Sequence, residues 1–250
     1  MDSQKRARLA VVIALVVVLA VFGSFAFSLL SVRAPHIVLP TPGAQTPASP
    51  SGFDSNTQLL EVTPTTVQAV IATLDRSSSY YRQLSVQTFW DGGSGTTSVQ
   101  TWTDDGYTQV RAQLPTGQVR NSIQTPDGTL YYWYSGGSAV LVAPPDSLSE
   151  DLAQRLPTYE DVLALDTASI SDAGYVDYEG HPCIFVETQS GGQEYVQRYW
   201  IGVDSGLLVA AQTLKAEQVV YSVNASTAIQ TPCPASASFR LPDGTVLHSI

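Results

Sequence analysis

Residues 96–134 read TTSVQTWTDDGYTQVRAQLPTGQVRNSIQTPDGTLYYWY. Strand-like runs rich in Thr, Val and aromatic residues are interrupted here by three turn signals, at 104–106 (DDG), 115–117 (PTG) and 126–128 (PDG). A side-chain period of two is typical of strands, and short Gly-containing interruptions between such runs are typical of hairpin turns. This stretch therefore predicts four antiparallel strands joined by tight turns.

Similar elements continue on both sides of this meander. On the amino-terminal side, residues 83–90 form another strand-like run, and Thr63-Pro64 begins a helix that carries apolar residues at helical spacing as far as Leu74. On the carboxy-terminal side, residues 147–156 and 158–165 have the pattern of short helices, and strands resume at Ala173. Between Leu59 and Ile250 we expect nine or ten strands and about three helices. The predicted class is α+β, dominated by one antiparallel sheet.

A membrane segment precedes this domain. Residues 9–32 are 24 residues without a charge, and as a helix they would extend about 36 Å, enough to cross a hydrocarbon core of about 30 Å. Lys5, Arg6 and Arg8 lie before the segment and Arg33 alone follows it. The excess of positive charge predicts a cytoplasmic tail at 1–8 and an extracytoplasmic position for everything after the span. A cleaved signal peptide is the alternative to an uncleaved anchor.

Residues 33–58 are rich in Pro, Ala, Thr and Ser, which predicts a semi-extended linker between the anchor and the domain at 59–250. Beyond Arg33 the chain has 8 basic and 21 acidic residues, a net charge of −13. Such a charge disfavours nucleic acid as a partner, because phosphate binding requires a clustered basic face. It equally disfavours adhesion to anionic lipid head groups.

The two cysteines, Cys183 and Cys233, both follow the predicted span. Exported chains can oxidise, so a disulfide between them is expected, with two buried free thiols as the alternative. No metal site is expected, because His181 and His248 are far apart in sequence and no compact set of ligands accompanies them. No cofactor is expected either, since no phosphate-binding loop occurs.

No catalytic residue is predicted. The chain lacks a Gly-x-Ser-x-Gly elbow, and its acidic pairs lie at turns and helix starts, where acids are structurally favoured. We therefore expect a protein that is not an enzyme. A hydrolase remains a hypothesis that would gain support if His181 or His248 lay beside a buried carboxylate and a hydroxyl.

The order of these elements resembles the lipoprotein-carrier superfamily, which includes LolA-type carriers, RseB-type stress sensors and GerS-type spore germination lipoproteins. Three stretches carry the resemblance: WTDDGY at 102–107, TPDGTLYYWY at 125–134 and RYWIGVDSGLLV at 198–209. The resemblance implies a half-open antiparallel barrel, a curved meander with the helices on its concave face. It also implies a role in the cell envelope without catalysis.

Two functions follow as hypotheses. The first is a membrane-anchored binding module for a lipid, a lipoprotein or a hydrophobic segment held in the groove of the barrel. The second is an RseB-like or GerS-like domain that docks an envelope protein and holds no small ligand; a groove filled by its own side chains would favour it. Aromatic residues on the predicted strands are the candidate ligand contacts. They are Trp90, Trp102, Tyr131, Trp133 and Tyr199.

Overall fold

The computed structural model describes residues 61–189 and 194–250. These residues belong to one compact unit, Gln58–Ile250. Among them, no helix is both long and apolar enough to cross a bilayer. The predicted tail, the predicted span at 9–32 and the predicted linker lie outside the described residues.

Within the described residues, eleven strands form one antiparallel sheet, and two more form a separate hairpin near the carboxy terminus. Two short α-helices accompany them: α1 (Val67–Thr73) and α2 (Tyr159–Leu163). The strands are β1 (Tyr80–Trp90), β2 (Gly93–Asp104), β3 (Tyr107–Gln113), β4 (Val119–Gln124), β5 (Leu130–Tyr134), β6 (Leu141–Ala143), β7 (Ile170–Tyr178), β8 (His181–Thr188), β9 (Tyr195–Gly202), β10 (Leu208–Lys215), β11 (Gln218–Ala225), β12 (Ser238–Arg240) and β13 (Val246–Ser249). The predicted dominance of one antiparallel sheet is confirmed, but the described residues are mostly β, with thirteen strands where nine or ten were predicted and two short α-helices where about three helices were predicted.

The strand order is β6-β5-β4-β3-β2-β1-β11-β10-β9-β8-β7, so two meanders join where β1 pairs with β11. Within each meander, every strand pairs with its neighbour in the chain, as the turn signals predicted. Strands β6 and β7 are the two edges of this sheet. The three predicted turns at 104–106, 115–117 and 126–128 all join consecutive strands.

Side chains on the two faces of the sheet enter two different cores. Val99 and Trp102 on β2 are three residues apart, so they point to opposite sides of the sheet. The face that carries Val99 packs against α1 and α2, and we call it the helix face. The face that carries Trp102 packs against the β12–β13 hairpin, and we call it the hairpin face.

The main core lies on the helix face. Val67, Val70 and Ile71 of α1 pack there with Val162 of α2 against buried residues of the sheet. A capping box begins α2, in which the Thr158 side chain accepts from Glu160 N and the Asp161 carboxylate accepts from Thr158 N. The buried sheet residues of this main core come from both meanders: Leu84, Val86, Val99, Val110, Ala112, Ile184, Val186, Ile201, Leu208, Ala211 and Val223.

One predicted helix, at 147–156, is wrong. Only the 3-10 turn Leu152–Gln154 forms there, and Arg155 ends it with a left-handed φ of 58°. The backbone carbonyls of Leu148 and Glu150 accept hydrogen bonds from Gln124 and Thr108 of the sheet. Because these carbonyls bond to the sheet, the segment follows the sheet and does not coil into a continuous helix.

Candidate ligand-binding site

Three of the five predicted ligand contacts come together on the hairpin face. Trp102, Tyr131 and Trp133 belong to a cluster around Ile123, and Phe239 of β12 packs into it with an exposed fraction of 0%. Leu241 and Leu247 contact the same cluster. The carboxy-terminal hairpin therefore covers these aromatic rings.

The other two predicted contacts lie elsewhere. Tyr199 is buried in the main core, where its hydroxyl donates to Gln197 Oε1 at 2.9 Å. Burial, reinforced by the charge of Asp161, raises the pKa of Tyr199 above its ordinary value. Trp90 is 57% exposed at the tip of the β1–β2 hairpin, beside Gly93. The five residues do not form one site, and their role in binding remains a prediction.

A polar cluster of Ser79, Asp104 and His248, which we call the clasp, connects the β12–β13 hairpin to the sheet. His248 Nε2 lies 2.7 Å from Asp104 Oδ2, and its ring stacks on Tyr107 with centroids 4.5 Å apart. The other carboxylate oxygen of Asp104 accepts from the Ser79 hydroxyl, which in turn accepts from Cys233 N. The Asp104 carboxylate thus connects the start of β1 with His248 of β13 directly, and with Cys233 through the Ser79 hydroxyl.

This cluster places a histidine beside a carboxylate and a hydroxyl, as the hydrolase hypothesis required, but the order of the groups is different. In a catalytic triad the hydroxyl bonds to the histidine, which can then accept its proton. Here the Ser79 hydroxyl donates to Asp104, and the histidine bonds to the opposite oxygen. Ser79 and His248 therefore lack the hydrogen bond that would activate a nucleophile. The cluster instead connects the β12–β13 hairpin to the sheet.

The clasp predicts a loss of stability in acid. Burial disfavours the charged form of Asp104, but hydrogen bonds from His248 and Ser79, with the charge of His248, hold its pKa below the ordinary value. A carboxyl with a lowered pKa stabilises the fold above its unfolded pKa of about 3.9 and loses this contribution as the pH falls through the folded pKa. Unfolding in urea should therefore show a stability decrease below pH 4.

Asp104→Asn provides the control for this pH dependence. The variant keeps the shape of the side chain but cannot titrate, so its stability should be lower at pH 7 and should fall less between pH 5 and pH 2. An equal decrease in the wild type and the variant would show that other carboxyl groups cause the acid sensitivity.

A buried arginine holds residues 144–157 against the helix face. Arg82 is 1% exposed, and its Nε and one terminal nitrogen donate to Gln154 Oε1, while the other terminal nitrogen donates to Leu208 O at 3.0 Å. The Tyr80 hydroxyl donates to Asp151 and accepts from Gln154. Burial raises the pKa of Tyr80 above its ordinary value, so this hydroxyl keeps its proton.

The predicted disulfide is absent: Cys183 and Cys233 are both buried free thiols. Their surroundings differ. Cys183 lies on β8 opposite Gly202, near Asp177 and Asp204, whereas Cys233 lies near Asp104. Burial is the main cause that raises the pKa of each thiol to about 11, with these carboxylates adding to it. The cysteines thus serve as small packing residues in two places.

A cavity of about 620 Å³ lies at one end of the sheet. Four separated segments line it: residues 75–77 after α1, 181–182 at the β7–β8 turn, 202–209 around the β9–β10 turn, and 225–231 after β11. Its volume falls within the range of about 300 to 1,000 Å³ that is usual for small-ligand sites. The sequence reasoning did not identify this cavity.

Apolar and polar groups share the lining of this end cavity. Leu207, Val209, Ala225 and Ile229 contribute apolar surface, and Leu207 is buried. Polar groups include Asp75, Asp204 and His181, all exposed to solvent, together with Ser and Thr hydroxyls. A lining that combines apolar side chains with exposed charged groups is suited to an amphiphilic ligand.

Arg76 fixes the shape of this cavity. Its guanidinium donates to the carbonyls of Gly206, Leu74 and Ile71 and lies 3.6 Å from the ring centroid of Tyr159. Gly206 has a φ of 65°, and a Cβ there would come within 2.7 Å of the Arg76 side chain. The close approach thus requires glycine at this position and ties the β9–β10 turn to the end of α1.

Comparison with known proteins gives matches among solved structures only. No family model matches the chain, and no curated protein matches it. The structure of MucB in complex with MucA(peri) matches at 15% identity with a TM-score of 0.41, over 67% of this chain and 56% of the MucB chain. The chain thus aligns with little more than half of MucB.

Two further matches cover most of the matched chain. A LolA superfamily protein from Nitrosomonas europaea matches at 9% identity with a TM-score of 0.33, over 67% of this chain and 93% of that one. A domain of a putative outer membrane lipoprotein-sorting protein from Vibrio parahaemolyticus matches at 9% identity with a TM-score of 0.28, over 69% and 94%. The chain is thus similar to these proteins at low identity, and its site is interpreted from its own residues.

Proposed function

We propose that the chain is a membrane-anchored, extracytoplasmic binding module without catalytic activity, whose end cavity holds an apolar ligand. In this proposal residues 1–8 stay in the cytoplasm, residues 9–32 span the membrane, and a linker at 33–58 connects the span to the domain at 59–250. The ligand is a lipid, a lipoprotein acyl chain or a hydrophobic segment. The sheet, curled around α1 and α2, would be the half-open barrel expected from the sequence.

One observation carries this proposal: a cavity of ligand size lies at the end of the sheet, whereas the centre of the helix face is covered by α1 and α2. Residues such as Leu84, Ile184 and Ile201 on the helix face are already in contact with α1 and α2. The end cavity, by contrast, has room for a ligand and an apolar wall that includes Val209 and Ile229. Burying an alkyl chain against such a wall gains about 0.8 kcal/mol per CH₂ group.

Filling the cavity should abolish ligand uptake. Ala228 lines the cavity and is exposed, so Ala228→Trp can place an indole in the opening without disturbing the core. We expect the variant to bind the apolar fluorescent probe N-phenyl-1-naphthylamine at least about tenfold more weakly than the wild type, because the indole occupies the volume that the probe needs. A fluorescence titration measures this difference.

Ala235→Trp is the matched control, since Ala235 is also exposed but does not line the cavity. It should bind the probe as the wild type does, and both variants should unfold at the wild-type urea concentration. Equal probe binding by the wild type and both variants would refute the assignment of the ligand site to this cavity.

A second candidate function, docking of an envelope protein, has its own supporting observation. Strand β6 is an edge of the sheet, and its Leu141 and Val142 are 65% and 61% exposed. An exposed apolar edge strand is a template on which an extended peptide can add a further strand. In this alternative the partner would bind along β6, and the end cavity would remain empty.

A further inference from the structure

The end cavity has an acidic opening. Asp75 and Asp204 line it from different segments, one after α1 and the other in the β9–β10 turn. The Asp75 carbonyl oxygen would lie 2.9 Å from a Cβ placed on Gly206, so the two segments touch at this point. Neither aspartate forms an ion pair with any basic residue that the structure describes. Both aspartates are exposed to solvent, and neither is held in an ion pair among the described residues.

The one arginine of the described lining, Arg76, offsets one of these two negative charges. All three nitrogens of the Arg76 guanidinium donate to backbone carbonyls, and one face of the group lies against the Tyr159 ring. Three of its five N–H groups are thus used within the protein, and the two aspartates and Arg76 together give the lining a formal charge of −1. Arg76 is the only lysine or arginine among the described residues of the lining, so an anionic ligand would meet two carboxylates and one guanidinium whose N–H groups are mostly used within the protein.

One further carboxylate, that of Asp177, reinforces the negative field at this end of the sheet. The charges of Asp177 and Asp204 both act on the Cys183 thiol, which lies next to the lining residue Pro182. The domain at 59–250 as a whole has 20 acidic and 8 basic residues. A ligand with a negative head group would be repelled both at the opening and by the protein as a whole.

We infer that the end cavity selects a ligand in which an ammonium group ends an alkyl chain, with the chain against Val209 and Ile229 and the ammonium group between Asp75 and Asp204. This inference rests on the proposed function, because it names the ligand class of the same cavity. Two natural sources carry this chemistry, an aminolipid and a lysine side chain flanked by apolar residues in a protein. Fatty acids and other anionic amphiphiles are disfavoured.

The test compares three ligands with the same eight-carbon chain: octylammonium, octanol and octanoate. Each competes with N-phenyl-1-naphthylamine for the domain at 58–250, the compact unit that contains both hydrophobic cores. At pH 7 and low salt, octylammonium should bind more tightly than octanoate by about fivefold or more, as expected for two partly screened carboxylates. Added salt should reduce the difference.

The double variant Asp75→Asn, Asp204→Asn should abolish this preference while leaving octanol binding unchanged. Asp91→Asn, Asp172→Asn is the matched control, because both residues are exposed, neither lines the cavity, and the net charge changes by the same amount. This control should retain the preference for octylammonium. Urea unfolding of all variants verifies that the fold is intact.

The outcomes separate the two proposals. If the three ligands bind equally, or if the control pair loses the preference as well, the ammonium inference is overturned and the apolar cavity stands. If none of the three ligands competes with the probe and Ala228→Trp has no effect on probe binding, the proposed function fails too.

Where octylammonium is preferred, sphingosine and the peptide acetyl-Leu-Lys-Leu-amide distinguish the source of the ammonium group. Tighter binding of sphingosine assigns an aminolipid, and tighter binding of the peptide assigns a lysine of a protein. Failure of both to compete with the probe overturns the inference.

Discussion

Phe239→Ala is expected to lower the free energy of unfolding by about 3 to 5 kcal/mol. The ring is fully buried between the β12–β13 hairpin and the sheet, with its centroid 5.8 Å from that of Tyr107 and 5.3 Å from that of His248. Its loss would leave a cavity above Ile123 and Trp133 and loosen the hairpin that covers them. Urea unfolding of residues 58–250, followed by tryptophan fluorescence, measures this change.

Val246→Ala is the control for the hairpin, because Val246 is 45% exposed on the neighbouring strand and its truncation should cost less than about 1 kcal/mol. In the folded Phe239→Ala variant, we also expect the emission of Trp102 and Trp133 to shift to the red as water reaches them. A stability loss similar to that of Val246→Ala would show that the hairpin does not hold the second core together.

Arg82→Ala should destabilise the protein by about 3 kcal/mol. The substitution removes a fully buried side chain and leaves Gln154 Oε1 and Leu208 O without their donors. A buried acceptor without a partner costs about 1 to 3 kcal/mol, and the lost packing of the arginine side chain adds to this. Urea unfolding gives the total effect, and proteolysis detects the release of residues 144–157.

Arg111→Ala is the comparison for this experiment, since Arg111 is exposed on β3. Its effect should stay within about 0.5 kcal/mol. The account predicts faster cleavage near Arg155 in the Arg82 variant alone. Equal stability of the two arginine variants, or equal cleavage, would contradict the view that Arg82 fastens this segment to the sheet.

The local part of the fold could be predicted from the sequence because hairpins depend on neighbouring residues. The turns at 104–106 and 126–128 join strands that pair directly, and their signals lie within a few residues of each strand. The pairing of β1 with β11 had no such signal, because more than 120 residues separate them. This pairing depends instead on the main core, which is formed by residues from both meanders.

The face on which each aromatic residue lies could not be predicted, since a shift of one residue in register reverses the face. Trp102 and Trp133 were expected in a ligand groove, and the structure places them under the carboxy-terminal hairpin instead. The sequence offered a hint in the apolar residues Phe239, Leu241 and Leu247, which follow the proline-rich stretch and need a surface to cover.

The end cavity was missed for a related reason. Its lining comes from segments that lie far apart in the chain, and the stretch at 198–209 contributed only to the family resemblance. The useful signal would have been Gly206 together with Arg76, a pair whose close contact fixes the entrance. Such a pair has no characteristic spacing, so it becomes visible only once the chain is folded.

The most direct test of the central claim is an NMR titration of isotope-labelled 58–250 with N-phenyl-1-naphthylamine. The account predicts that chemical shifts change mainly for residues 202–209 and 225–231, which line the end cavity, and that Ala228→Trp abolishes these changes. Shift changes centred on β6, or on Trp102 and Trp133 under the hairpin, would contradict it and place the binding surface elsewhere.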